Sequence, residues 1–400
     1  MANQTNSHRA ANGQGNIRQR TKTGKNGVEY TYWEGRVTIS LKDGRTEKHY
    51  VSGKTQHEVL EKMQKARVEA TEGGYVEPNK ITVSQWLDTW LQTYLNDVKP
   101  RTVEAYTLSI RKRIEPALGN IQLQKLNAPA VQKFYNELSK PHDGKSGLSA
   151  KTIHCVHGVL HSALKKAVEI GYLRKNPTEA CTLPRKERKE IKPLDTDDIS
   201  CFLKAIRGDP YEDVFIVTVF TGLRQGEVLG LTWDAVNFEQ GTIRINKQLQ
   251  KVVGEKSKYQ LVSTKNGKGR IITPAPFVMD VLRRVRVKQT EARLLAGKGY
   301  ENQNFVFSNP FGQHFMPSTV YHHFKRIAKS IGLPEARFHD LRHTYAVAAL
   351  ANGDDIKTVQ ENLGHHTASF TLDVYGHVTD QMRKESANRM ENFIRQVRAK

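Results

Sequence analysis

The chain has 400 residues, 38% of them hydrophobic and 26% charged, a composition that indicates a folded protein of two or three domains and excludes a disordered chain. Lysine and arginine number 62 against 41 acidic residues, and the net charge of +21 predicts a polyanionic partner, nucleic acid rather than a membrane surface. Because this charge is spread as +5, +7 and +9 over residues 1–80, 81–185 and the remainder, we expect a long contact made by several domains.

The cysteines and the polar start of the chain predict an intracellular, cytoplasmic protein. Cys155, Cys181 and Cys201 are odd in number and lack metal-like spacing, which predicts packed thiols in a reducing compartment. No signal-peptide core and no apolar run of membrane-spanning length is present in the sequence. We therefore expect no membrane contact.

Residues 1–75 are predicted to form a basic arm and a small β-sheet with one helix. Residues 1–28 carry cations and no acid. Three alternating runs predict strands and one amphipathic run predicts a helix: Ile17–Thr21, Tyr30–Leu41, Thr46–Val51 and Thr55–Glu72. A sheet with basic strands fits a DNA groove, although a plain packing unit also explains the pattern. The candidate DNA contacts are Arg18, Arg20, Lys22 and Arg36.

Residues 81–183 are predicted to form an all-helical, DNA-binding module. Helical spacing predicts four helices, at Val83–Leu95, from Pro100 onward, at Ala128–Leu138 and at Ser149–Ile170. Trp86 and Trp90 are assigned to its core rather than to base stacking. Six cations are candidate phosphate contacts: Arg101, Arg111, Lys112, Arg113, Lys151 and Lys165. The charged segment 184–192 is predicted to be a linker.

Residues 193–400 are predicted to form a mainly α catalytic domain with a small antiparallel sheet, so the fold class is multidomain α+β. The Asn266-Gly267 turn predicts a hairpin between Val262–Thr264 and Arg270–Thr273. Helices are predicted at Pro276–Thr290, Ser318–Ile331, His339–Asn352, Ile356–Leu363, Ser369–Tyr375 and Asp380–Arg398.

The segment 338–378 is the densest in chemistry. His339 and Arg342 lie one helical turn apart, His365 follows a glycine, and Tyr375 comes ten residues later. Two imidazoles, a guanidinium and a phenol are able to bind a phosphodiester, move a proton and attack phosphorus.

Two further cations complete the set that such a reaction needs. Arg224 supplies a second planar fork for the nonbridging oxygens, and Lys265 precedes a turn from which it would protonate a leaving oxygen.

These residues stand in five segments that together resemble one family, the tyrosine recombinases, and within it the integrases of phages and conjugative transposons. The segments are TGLRQGE with Arg224 and Glu227, TKNGKGRIITP with Lys265, HDLRHTYA with His339 and Arg342, LGHH with His365, and LDVYGHV with Tyr375. The helical module resembles the family's core-type DNA-binding domain, and residues 1–75 resemble its arm-type domain.

The resemblance implies a site-specific recombinase that integrates and excises a mobile element without metal, ATP or other cofactor. Tyr375 would attack the scissile phosphate to give a 3′-phosphotyrosyl link and a free 5′-hydroxyl. Arg224 and Arg342 would bind the phosphate, Lys265 would be the general acid and His339 an acid or base. His365 would hydrogen-bond the phosphate, and Glu227 would orient the site.

The implied partners are double-stranded DNA, further copies of the chain in a homo-tetramer, and an accessory excision or DNA-bending protein. The final helix is predicted to exchange between neighbouring protomers through its apolar residues Met382, Ala387, Met390, Phe393 and Ile394.

Several alternatives stay open at the level of sequence. His339 and His343 have the spacing of a helical metal pair, although no glutamate follows the first histidine. Arg224 is also placed to pair with Glu227 alone. Lys268 competes with Lys265 as general acid, and Tyr321 and Tyr345 compete with Tyr375 as nucleophile. A type IB topoisomerase or a catalytically inactive DNA-binding regulator are the alternative functions.

Overall fold

The computed structural model of the protein describes residues 16–23, 29–40, 46–71, 80–141, 146–187, 192–255, 258–264, 269–364 and 380–398. The chain divides into two compact units, Met1–Glu187 and Arg188–Lys400. This division falls within the predicted linker 184–192, of which residues 188–191 lie outside the described part. Small antiparallel sheets and many helices confirm the predicted α+β class. The finer division into domains stays a prediction.

An antiparallel sheet with one helix packed against it forms the start of the first unit. Its elements are β1 (Asn16–Thr23), β2 (Glu29–Ser40), β3 (Thr46–Gly53) and α1 (Gln56–Thr71). Val37, Val59 and Met63 form its core. Gly35 lets the helix approach closely, because a Cβ there would lie 2.5 Å from Met63 Sδ. The predicted three strands and helix are confirmed.

The helical module occupies the rest of the first unit, as the sequence predicts. Its helices are α2 (Val83–Thr93), α3 (Pro100–Ser109), α4 (Glu115–Leu118), α5 (Ala128–Ser139) and α6 (Ala150–Glu169). A π-helical turn, Ile110–Ile114, joins α3 to α4. Trp86 and Trp90 are 1% and 4% exposed, and Trp86 Nε1 donates to the Ala163 carbonyl over 3.0 Å. Their assignment to the core is confirmed.

The prediction of packed thiols is wrong for two of the three cysteines. Cys155 and Cys201 are exposed, and Cys181 is intermediate. Cys155 lies between the buried Ile153 and Val156, at the position of the amphipathic helix α6 that faces away from the core.

The second unit contains eight further α-helices and five strands within the described residues. They are α7 (Thr196–Ala205), α8 (Glu212–Thr221), α9 (Gln225–Leu229), β4 (Val236–Asn237), β5 (Thr242–Ile245), β6 (Lys247–Lys251), β7 (Tyr259–Ser263), β8 (Arg270–Ile272), α10 (Pro276–Ala296), α11 (Pro317–Ser330), α12 (Asp340–Ala351), α13 (Ile356–Leu363) and α14 (Asp380–Arg398). The predicted helix Ser369–Tyr375 lies outside the described part. Helix α8 is buried on almost every side and packs against α10 and α12, so its end is a fixed point for the loop that follows.

The hairpin predicted across Asn266-Gly267 is wrong. β7 pairs with β6, and β8 pairs with β5, all antiparallel. β5 and β6 follow one another with Asn246 between them, and the Thr264 amide donates to the Asn246 carbonyl over 3.2 Å. The two strands that flank Asn266-Gly267 in the sequence therefore pair with successive strands and not with each other.

Helix α14 has the predicted bounds and carries exposed apolar side chains. Met390, Phe393 and Ile394 are 59%, 60% and 41% exposed. Among the helices that the structure describes, none is long and apolar enough to cross a membrane.

Candidate active site

Arg342 lies at the buried centre of the candidate site and is 1% exposed. Its Nη1 donates to the Gly222 carbonyl over 2.8 Å and its Nη2 to the Leu363 carbonyl over 2.5 Å. The guanidinium of α12 thus joins the ends of α8 and α13. Gly222 has φ 64°, and a Cβ there would lie 2.6 Å from Tyr345 Cδ1, so the turn requires glycine.

Arg224 caps α9 and is anchored by Glu227, one turn further on. Arg224 Nη1 donates to Glu227 Oε1 over 2.7 Å, and the Arg224 amide donates to Oε2 over 3.0 Å. The Glu227 side chain is 2% exposed, whereas that of Arg224 is 34% exposed. The ion pair that the sequence left open is present, and it leaves the guanidinium within reach of a ligand from solvent.

The glycines of TGLRQGEVLGL allow α9 to pack directly against the sheet. A Cβ on Gly230 would lie 2.5 Å from the Leu249 amide nitrogen of β6. Because no side chain separates helix from strand, Arg224 and Glu227 are held close to the sheet edge.

Arg270 of β8 binds the same carboxylate, and sequence reasoning did not assign it a role. Its Nη1 and Nη2 donate to Glu227 Oε1 and Oε2 over 3.1 and 2.7 Å, and its Nε donates to the Asn362 carbonyl over 2.7 Å. Burial opposes ionisation of Glu227, but the hydrogen bonds and charge of Arg270, with the charge of Arg224, lower its pKa to about 2.

The alternation of β8 is the signal that would have identified Arg270. Ile271 is 63% exposed and Ile272 is 4% exposed, so Arg270 shares the core-facing side of the strand with Ile272. A strand arginine on a buried face requires an acidic partner.

His339 begins α12 beside both predicted phosphate-binding arginines. The residue as a whole is exposed, and its ring meets that of His343 at a centroid distance of 4.9 Å. Desolvation by the surrounding protein lowers the His339 pKa to about 4, assisted by His343 and by the charges of Arg342 and Arg224. The imidazole is therefore neutral at pH 7.

His343 and Asp340 stabilise the start of α12. His343 is 7% exposed, and burial lowers its pKa despite the opposing charge of Asp340. Arg337 donates through Nη2 to Asp340 Oδ1 over 2.9 Å. In the described part of the chain, no group of three or more His, Cys, Asp or Glu is arranged to hold a metal ion.

Acidification is expected to destabilise the second unit through these two imidazoles. Both have a folded-state pKa below the ordinary 6.5. Below that pH the unfolded chain binds more protons than the folded chain, so the free energy of unfolding falls with pH towards about 4. We expect the midpoint temperature of thermal unfolding to decrease as the pH is lowered from 7 to 4.5. We expect this decrease to be smaller in His343→Gln. The exposed control is His322→Gln. If the midpoint temperature of His343→Gln depended on pH as steeply as that of wild type and of this control, the assignment would be contradicted.

The rival tyrosines are occupied in packing. Tyr345 lies over Gly222, its hydroxyl accepts from Asn362 Nδ2 over 3.2 Å, and burial raises its pKa. Tyr321 is 38% exposed and makes an edge contact with His322. The burial of Tyr345 opposes the ionisation that attack on phosphorus requires.

The structure brings together four of the candidate site residues, Arg224, Glu227, His339 and Arg342. Lys265, His365 and Tyr375 lie outside the described residues, and the roles of all seven stay predictions. The flanks of these segments are nevertheless fixed. Thr264 is bonded to the sheet, and α13 ends at Gly364 in a left-handed conformation.

The chain is similar to known proteins along most of its length. The phage integrase family matches residues 192–382, and the phage integrase N-terminal SAM-like domain matches residues 82–139. A tyrosine recombinase XerC-like protein of Caldanaerobacter subterraneus subsp. tengcongensis is 30% identical over 398 residues, covering 94% of this chain and 99% of its own. The chain belongs to the tyrosine recombinases.

This recombinase is also similar to the integrase of Saccharopolyspora erythraea, with 26% identity over 91% of this chain and 94% of the relative. Its fold matches the Tn1549 transposon integrase, solved in complex with a circular intermediate DNA, at a TM-score of 0.65. That match has 23% identity and covers 78% of this chain and 99% of the other. The chain is therefore a DNA strand-breaking and rejoining enzyme of the site-specific class.

The N-terminal sheet of the recombinase presents cations and aromatic rings on the face away from α1. Cross-strand pairing sets Arg20 beside Tyr32 and Arg36 beside Tyr50, on the side opposite Val37. The cations of this face are Arg18, Arg20, Lys22, Arg36 and Lys48. Glu34 lies among them and binds Arg20 over 2.8 Å.

The candidate contacts of the helical module differ in their surroundings. Four are exposed side chains: Arg101, Lys112, Lys151 and Lys165. Arg113 is half-buried. Arg111 is bound to Asp88 over 2.6 Å and to Glu115 over 2.8 Å, so its charge is already paired within the module. Contact of these residues with DNA stays a prediction.

Proposed function

We propose that this tyrosine recombinase cuts and rejoins DNA through a 3′-phosphotyrosyl link at Tyr375, and so integrates and excises a mobile element. The observation that supports the proposal is the convergence of Arg224, His339 and Arg342 from the starts of α9 and α12, with Arg224 held by the buried carboxylate of Glu227. Two guanidinium groups and a neutral imidazole in one place suit a phosphodiester whose negative charge increases during the reaction.

The reaction conserves the energy of the broken ester. The Tyr375 oxygen forms a bond to phosphorus while the bond from phosphorus to the 5′-oxygen breaks, and Lys265 gives that oxygen its proton. His339 or His365 takes the phenolic proton. A 5′-hydroxyl from a partner duplex then attacks the link and releases the phenol. Neither water nor a nucleotide cofactor is consumed in these two steps.

Arg224 and Arg342 bind the nonbridging oxygens in this scheme. Glu227 holds Arg224 through two hydrogen bonds and, with a pKa of about 2, stays ionised at every working pH. Its fixed charge keeps the Arg224 side chain in one orientation.

A nicked suicide substrate tests the proposal. Loss of the short fragment beyond the nick traps the protein on DNA, and sequencing the attached end reports the target, the strand and the polarity. We expect a 3′ attachment to the peptide containing Tyr375, formed equally in EDTA. A 5′ attachment, or loss of the adduct in EDTA, would refute it. Joining of two different duplexes excludes the topoisomerase alternative.

We also propose a homo-tetramer on double-stranded DNA, joined through α14. The exposed Met390, Phe393 and Ile394 form an apolar surface on a helix that is otherwise rich in charge. Among similar proteins, a λ integrase dimer has been solved bound to a COC′ core site, with 18% identity and a TM-score of 0.54. An accessory excision or DNA-bending protein is the further partner that we expect.

Deleting residues 1–75 is expected to weaken binding to outlying sites without affecting cleavage at the crossover. The deletion removes the basic sheet face but leaves every proposed catalytic residue in the chain. Footprinting of both proteins on a complete attachment site measures the first effect, and suicide-substrate trapping measures the second. Equal footprints, or a parallel loss of cleavage, would contradict the arm-type assignment.

A further inference from the structure

We propose that Arg270 is a positioning residue for strand cleavage, which locks the Arg224 anchor and the end of α13 into a single arrangement. The inference rests on the proposed function, because it concerns the same site. It adds a residue that acts on the phosphate indirectly, through Glu227 and Asn362, and does not bind it.

Arg270 is one of two guanidinium groups that bind Glu227. Oε1 accepts from Arg224 Nη1 and Arg270 Nη1, and Oε2 accepts from the Arg224 amide and Arg270 Nη2. With four donors on a carboxylate that is 2% exposed, the position of each arginine is defined by the other. Among the described residues, removing Arg270 would leave Arg224 as the single cation bound to this buried charge, so that neither the ionisation of Glu227 nor the position of Arg224 would be fixed any longer.

The third bond of Arg270 reaches a different segment. Its Nε donates to the carbonyl of Asn362, while Arg342 Nη2 donates to the carbonyl of Leu363, the next residue. These carbonyls belong to the last turn of α13, where cations are favoured. A Cβ on Gly364 would lie 3.0 Å from Arg270 Cδ, so the chain leaves the helix directly beside this side chain. The residue after Gly364 is the predicted phosphate ligand His365.

The strand supplies the third connection. Arg270 pairs with Ile245 of β5, so the sheet holds its backbone, and Lys265 precedes it by five residues in the sequence. Arginine is needed for this combination, because its planar fork directs two N–H groups at Glu227 and a third at Asn362. Lysine would retain the charge but not these three directions.

Glu227 would respond to pH when Arg270 is absent. Among the residues that the structure describes, the charged groups that face it are Arg224, at the cap of its own helix, and Arg270 from β8. Lys247 of β6 is paired with a different carboxylate, that of Asp234, at 3.7 Å. The contact of α11 with α9 is made by uncharged groups, because the Gln225 side chain donates to the Pro317 carbonyl. Loss of Arg270 therefore raises the Glu227 pKa, and protonation would release Arg224.

Three variants test the inference in the full-length protein: Arg270→Met, Arg270→Lys and Arg326→Met. Arg326→Met is a matched control, because Arg326 of α11 likewise pairs with a buried carboxylate, that of Asp209, at a distance of 2.9 Å. Rates of suicide-substrate trapping are measured from pH 8 to pH 6, below each protein's unfolding temperature, and are expressed relative to wild type.

We expect the relative rate of Arg270→Met to fall about 100-fold and to fall further as the pH decreases, since misplaced groups cost roughly this much. Arg270→Lys should lose about 10-fold at every pH, because the charge remains while the fork is lost. Arg326→Met should stay near wild type. A pH-independent relative rate for Arg270→Met, or a loss no greater than that of Arg326→Met, overturns the inference. Absence of any adduct in wild type would instead refute the proposed function.

Discussion

Replacing Tyr375 with Phe is expected to abolish the covalent protein–DNA adduct while DNA binding stays close to that of wild type. The substitution removes one oxygen atom and retains the ring, so the surfaces that bind the duplex are unchanged. Because the hydroxyl is the proposed nucleophile, we expect the trapping rate to fall by roughly 10,000-fold or more, to below detection. Gel analysis of denatured reactions measures the adduct, and mobility shift measures binding.

Tyr345→Phe and Tyr321→Phe are the matched controls for this experiment. Each loses the same atom from a phenol that packs against the protein, Tyr345 beside Asn362 and Tyr321 beside His322. Both should form the adduct. If the adduct persisted in Tyr375→Phe and was lost in one of the two controls, the tyrosine replaced in that control would be the nucleophile.

Replacing Arg342 with Met is expected to have the second largest effect, because one side chain serves both the fold and the reaction. The carbonyls of Gly222 and Leu363 lose their buried donor, which costs about 1–3 kcal/mol of the free energy of unfolding. Loss of a cation at the phosphate should reduce cleavage about 1,000-fold. Chemical denaturation measures the first quantity and trapping of folded protein the second.

Arg342→Lys separates the two effects. The ammonium retains the charge, but it is not able to direct parallel N–H groups at the two carbonyls and a phosphate as the guanidinium does. We expect stability between those of wild type and Arg342→Met, with cleavage still reduced by at least about 10-fold. Cleavage by Arg342→Met within 10-fold of wild type, measured on folded protein, would exclude Arg342 from phosphate binding.

Local spacing was sufficient to predict the parts of the site that lie on one helix. Arg224 and Glu227, like His339 and Arg342, are three residues apart and lie on one face within a turn. The helices themselves follow from apolar periodicity, which is why α13 and α14 have their predicted bounds.

Contacts between distant segments were beyond the reach of the same reasoning. Arg270 meets Glu227 only because β8 pairs with β5, and turn chemistry at Asn266-Gly267 indicated a different partner. A favourable turn dipeptide indicates only that the chain reverses direction. Which strand pairs with each flanking segment depends on the side chains that are buried in the rest of the domain. The prediction of packed cysteines failed for a related reason, since composition does not say which helix face a thiol occupies.

The partners of β7 and β8 are β6 and β5, two strands that follow one another directly in the chain, and this has a consequence for variation among relatives. Ser263 is paired with Lys247 and Arg270 with Ile245, so Asn246 alone separates the two partner strands. Insertions between Thr264 and Gly269 would leave both ladders in register, and the length of this segment is therefore free to differ among relatives. A single insertion at Asn246 would instead invert every side chain on one flank, so indels should accumulate between Thr264 and Gly269 and be absent at Asn246.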